Sequence, residues 1–128
     1  MATNDALDAS ALRALLSEKQ GATHVRAALN ASVISAVNYS EVVAKLADRG
    51  GNPAAVSAGL AALHLGVVAF DQSQAAQAGA LITGSRAAGL VFGDRSCLAL
   101  ATSRSLIALT ADRSWTTLRP SVQIECIR

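Results

Sequence analysis

Aromatic side chains are nearly missing from this sequence: two Phe, one Tyr and one Trp among 128 residues. Since 52% of the chain is nonetheless hydrophobic, the interior must be built mainly from Ala, Leu and Val. Small side chains let helices approach closely and leave little volume for a large buried cavity, so a deep pocket for a bulky organic cofactor is not expected. Cysteine is scarce too. Cys97 and Cys126 lie far apart behind an N-terminus with no signal-peptide pattern, and a reduced cytoplasmic protein with two core thiols is expected. Charge is thin at 16%, which leaves more apolar surface than solubility needs and points to self-association or an apolar partner. Residues Gly50 to Phe70 carry no formal charge, but Asn52, Pro53, Ser57, His64 and several glycines interrupt them. They read as a surface helix and a strand, not a membrane span.

Hydrophobic periodicity divides the chain into alternating strands and helices. A short strand ends at Leu7, interrupted by Thr3, Asn4 and Asp5, and Ser10 caps a helix to about Ser17. A second helix covers Ala22 to Asn30, and Ser32 to Val37 is a β-branched strand. Asn38 or Ser40 opens a helix that turns Val42, Val43 and Leu46 inward and closes at Gly50-Gly51. Pro53 suits the first turn of the next helix, Val67 to Phe70 is a strand, and Asp71 caps an alanine-rich helix. Beyond Asp94 a helix runs to about Ser103, followed by a strand at Leu106 to Leu109, a helical turn at Asp112 to Thr117 and an edge strand at Val122 to Ile127. This alternation predicts an α/β fold: a three-layer α/β/α sandwich around a mainly parallel sheet.

Four acids recur at equivalent places: Asp8 after the first strand, Glu41 after the second, Asp94 at the head of a helix, and Asp112 after LIALT. Each one taken singly is most simply a helix cap. Together they would line one edge of an open α/β sheet, where ligands bind. Massed carboxylates repel, and a divalent cation relieves that penalty. An all-oxygen set without His or Cys selects Mg2+ or Mn2+ over zinc. The matching chemistry is phosphodiester hydrolysis, in which water activated by the cation attacks in line. Setting the four acids aside leaves eleven bases against five acids, net +6. Arg95 and Arg113 directly follow site aspartates, and Arg13 lies one helical turn beyond Ser10; all three are candidates to grip phosphates, or are simply solvated arginines. Ser10 and Thr110 each stand two residues from an acid, able to orient it or to serve as turn residues. His24 and His64 lack partners at ligand spacing, and Trp115 reads as packing.

The four segments LDASALRALL, SAVNYSEVVAKL, FGDRSCLALA and LIALTADRSW, in that order, resemble the PIN-domain ribonucleases, closest to the VapC-type toxins of toxin–antitoxin pairs. The resemblance covers nearly the whole chain and implies one PIN-like nuclease domain over residues 1–128. It matches Asp8, Glu41, Asp94 and Asp112 to the family's acidic metal positions, and Ser10 and Thr110 to the hydroxyl residues beside them. It implies an endoribonuclease dependent on Mg2+ or Mn2+, a homodimer, and a VapB-type antitoxin that binds and blocks the site. Two positions depart from the pattern: ATNDAL replaces an unbroken apolar first strand, and Ser114 stands where many members carry another acid. Phosphoaspartate enzymes also place an Asp after the first strand, but need a late lysine against the phosphoryl group. Here Lys19 and Lys45 are the only lysines and both are early. A non-toxin nuclease and a catalytically silent binding module of the same fold remain the alternatives.

Overall fold

Five short strands, all parallel, pair in the order β3-β2-β1-β4-β5 in the computed structural model, which describes residues 2–85, 89–118 and 122–128. The strands are β1 (Asp5–Leu7), β2 (Ser32–Ser35), β3 (Gly66–Val68), β4 (Ile107–Thr110) and β5 (Ile124–Cys126). Between them run α1 (Ala9–Leu16), α2 (Ala22–Ala28), α3 (Ala36–Asp48), α4 (Pro53–Ala61), α5 (Gln72–Ala80), α6 (Ile82–Ser85) and α7 (Phe92–Arg104), with 3-10 turns at Leu29–Ala31 and Arg113–Thr117. Successive side chains of a strand point to opposite faces, and the three central strands divide accordingly. Leu7, Ile34 and Leu109 pack with α1, α2, α3 and α4 on one face. Ala6, Val33 and Ala108 pack with Cys97, Leu98, Leu100 and Ala101 of α7 and with Trp115 on the other. Trp115 is wholly buried, so its role is packing. Each fully buried Leu or Ile side chain contributes roughly 1.5–3 kcal/mol. Two cores on two sides of a parallel sheet make the α/β/α sandwich.

The polar start of β1 does not displace it from the centre. Asn4 joins the ladder through its backbone, donating to the Ala31 carbonyl at 2.7 Å and accepting from Ile107 N at 2.9 Å. Main-chain bonds, not side-chain hydrophobicity, hold this end of the strand.

Several boundaries differ from the sequence expectation. The cap of α1 is Asp8, not Ser10: its carboxylate accepts from Ala11 N at 2.8 Å. Helix α3 starts at Ala36, inside the expected strand, because Ser35 accepts from Val37 N and starts it earlier than Asn38 or Ser40. At α7 the N-cap is Val91, and Asp94 sits in the first turn, reaching back to accept from Val91 N at 3.1 Å. That is the acidic half of a capping box. No helix among the described residues is long and apolar enough to cross a membrane. Cys97 and Cys126 are both free thiols, but only Cys97 lies in the core; Cys126, on the edge strand β5, is half-buried.

Candidate active site

Strand β1 lies at the middle of the sheet, and the chain leaves it toward β2 and β3 before returning on the other side to β4 and β5. The carboxyl ends of β1 and β4 therefore form the switch point, where an open α/β sheet leaves a crevice. Asp8 follows β1 there, and Thr110 ends β4. Thr110 Oγ1 donates to Asp8 Oδ2 at 2.5 Å; Ser10 Oγ and Ala11 N donate to Oδ1 at 2.7 and 2.8 Å. Both hydroxyls thus converge on Asp8. Burial nonetheless dominates its titration, pushing its pKa from 3.8 up to about 6 despite those three bonds, with a further push from the charge of Asp94.

Glu41 reaches the same edge from the second turn of α3. Asn38, almost fully buried one turn earlier, donates Nδ2 both to Glu41 Oε1 and to the Gly93 carbonyl, each at 2.9 Å. Asn38 thereby fixes α3 against the first turn of α7. Gly93 leaves room for Glu41: a Cβ there would meet the Glu41 carboxylate, which would have to move from its present position. One residue on, Asp94 is half-buried and titrates above the ordinary range. Burial is the main cause, with the charges of Asp112 and Glu41 adding to it against the Val91 amide and Arg95. Asp112 caps the 3-10 turn after β4, accepting on Oδ1 from Ser114 N at 2.9 Å and Ser114 Oγ at 2.7 Å.

The four acids thus share one field. Asp94 feels Asp112 and Glu41, Asp8 feels Asp94, and the fully buried Cys97 thiol is pushed up by burial and by Asp8, Asp94 and Glu41 together. Among the described residues, no three His, Cys, Asp or Glu side chains stand close enough to form a ready-made metal site. Their oxygens are nevertheless divided in a consistent way. Oδ2 of Asp94, Oε1 of Glu41 and Oδ1 of Asp112 take hydrogen bonds, while the second oxygen of each has no donor among the described residues. Asp8 spends three acceptor positions of roughly four that a carboxylate offers, keeping one on Oδ2. Of the arginines, Arg95 acts on Asp94, Arg13 lines a cavity beside Ser10, and Arg113 is exposed.

Asn38 was not singled out as a site residue in the sequence, and Ser114 stood out only as a serine where many members carry another acid, whereas it donates to Asp112. Asn38 had one available signal: it stands three residues before Glu41, on the same side of a helix.

Fold and site together define an α/β/α protein with an acidic edge at its switch point. The family model for the PIN domain matches residues 6–119, and the chain belongs to that family. Solved structures with the same fold include a DNA-bound VapBC from Salmonella typhimurium (TM-score 0.74, 18% identity, 98% of this chain and 99% of that one). FitAcB from Neisseria gonorrhoeae is similar to the same degree (TM-score 0.74, 18% identity, 96% and 97%). A toxin–antitoxin complex from Klebsiella pneumoniae follows (TM-score 0.72, 18% identity, 98% of both chains). No curated protein matches the sequence.

Proposed function

We propose that this chain, as a single nuclease domain over residues 1–128, is a VapC-type toxin: an endoribonuclease that hydrolyses RNA phosphodiesters with Mg2+ or Mn2+. The observation that carries the reading is the division of the carboxylate oxygens. Asp8, Glu41, Asp94 and Asp112 are each anchored by protein donors on one side and keep acceptor capacity on the other. An all-oxygen donor set suits a hard divalent cation, and the like-charge strain at Asp94 is what such a cation would relieve. When bound, the cation supplies Lewis-acid stabilisation of the phosphodiester and acidifies water. Ser10 and Thr110 hold Asp8 in one orientation, Asn38 holds Glu41, and Ser114 holds Asp112. Arg13, Arg95 and Arg113 supply positive charge for the flanking phosphates.

As partners we propose a second copy of the chain and a VapB-type antitoxin, the latter because the similar folds include VapBC and toxin–antitoxin complexes. Exposed Val67, Val91 and Phe92 support self-association. An antitoxin arginine entering the acidic edge would form charge-assisted bonds to the same carboxylates and exclude the cation.

The purified chain should cut single-stranded RNA in Mg2+ or Mn2+ and stop in excess EDTA; undiminished cleavage in EDTA contradicts the reading. Expression alone should arrest growth, and co-expression of the adjacent reading frame should relieve it. Cleavage in vitro without any effect on growth would make it a non-toxin nuclease. A chain that neither cuts RNA nor takes up the cation would be a silent binding module. Sedimentation at micromolar concentration should show a dimer, and a monomer there refutes that partner.

A further inference from the structure

We propose that the cavity between α1 and residue 128 is a phosphate subsite, holding a backbone phosphate of the RNA strand next to the one at the acidic edge. The inference rests on the ribonuclease reading and deepens it. The cavity, about 210 Å³, is lined by Ser10, Arg13, Lys19, Gln20, Ala111 and Arg128. It is smaller than the roughly 300–1,000 Å³ of typical small-molecule pockets, and so suits a compact group rather than a whole cofactor. Its lining collects three cations and no acid. Among the described residues the one contact of ion-pair type, His24 Nε2 to Glu125 Oε1 at 3.6 Å, involves none of the three, so no Asp or Glu side chain pairs with them. An anion entering the cavity would meet donors of one sign, and guanidinium and ammonium groups together are the usual grip on phosphate.

The cations sit on backbone that is held. Lys19 lies in the turn after α1, its amide donating to the Ala14 carbonyl at 2.9 Å and its carbonyl accepting from Ala22 N at 3.0 Å. Arg128 Nη1 donates to the Ala111 carbonyl at 3.4 Å. The cavity also shares a wall with the acidic edge. Ser10 Oγ donates to Asp8 Oδ1 and accepts from Ala111 N at 2.9 Å, and Asp112 directly follows Ala111. A polyanion with one phosphate at the acids would run on past Ser10 toward Arg13, Lys19 and Arg128. RNA supplies such evenly spaced anions along its whole length, whereas an acidic peptide does not.

Binding of a fluorescent single-stranded RNA oligomer is measured by anisotropy across salt concentrations, in an Asp94→Asn background that keeps the strand intact and reads the cavity's own contribution without the cation centre. Lys19→Ala and Arg128→Ala should each weaken binding several-fold and lower the slope of log K against log salt by about 0.7 per lost contact. Lys19→Arg should retain both. Unchanged affinity and slope in Lys19→Ala and Arg128→Ala overturn the proposal, as does a loss confined to antitoxin binding, which would assign the cavity to an acidic protein segment. The two readings separate cleanly. If the otherwise native chain cuts RNA with unchanged KM in both variants, the subsite falls and the ribonuclease stands. If Lys19 and Arg128 govern RNA binding by a chain that cuts nothing, the subsite stands and the ribonuclease falls.

Discussion

Asp8 shows how an anchored carboxylate can still be a burden to the fold. It takes three hydrogen bonds, yet burial raises its pKa to about 6. The unfolded chain titrates this group at 3.8. The folded state binds the proton more tightly, so the group's contribution is most favourable below about 3.8 and is lost as pH rises through about 6. Asparagine has no such titration, remains a good N-cap, and can donate to Thr110 if that hydroxyl turns toward Ser10, 3.3 Å away. Asp8→Asn in metal-free buffer should therefore be more stable than the native chain at pH 7, by up to about 3 kcal/mol. The advantage should vanish near pH 4 in urea denaturation, and an equal difference at both pH values would contradict it. Asp94 was legible in the sequence because an acid opening a helical run invites the question of what it binds. Ser114 was legible only as a departure from the family pattern, since its hold on Asp112 depends on a contact that the sequence does not give.

At the level of elements, the site depends on two helices meeting end to side, α7 presenting its first turn to α3. Asn38 is the tie between them, with Gly93 leaving space for Glu41. Asn38→Ala removes one bond to a carboxylate and one to the Gly93 carbonyl, which keeps its place in the α7 ladder, so it should cost about 1–3 kcal/mol. It should also lower nuclease activity by freeing Glu41. Denaturation and RNA cleavage of the variant check both, and a native-like result in each would show that the tie is dispensable. The existence and order of these elements could be read from periodicity, but their ends could not. Ser35 starts α3 inside what looks like a β-branched strand, because one side-chain bond to Val37 N outweighs the strand preference of that residue. The same limit hid Asn38, which reads as a helix opener until the helix is known to begin two residues before it.

For the molecule as a whole, alternation of strand and helix predicted a parallel sheet covered on both faces, and the two cores on either side of β1 match it. The strand order was not legible. Pairing β1 with β4 joins residues about a hundred positions apart, and no local pattern encodes that choice. That pairing brings Thr110 to Asp8 and sets Asp112 beside Asp94, so the site is a product of topology rather than of any one motif. The central claim is that these four carboxylates act as one centre for a hard divalent cation. Calorimetric titration of Mn2+ into the native chain and into Asp94→Asn tests it most directly. Asparagine can keep the bond to Val91 N, so the variant should stay folded, within about 1 kcal/mol of the native chain. The native chain should bind Mn2+ saturably, and folded Asp94→Asn should lose most of that binding. A native chain that takes up no Mn2+, or an Asp94→Asn chain that binds it equally well, would contradict the account.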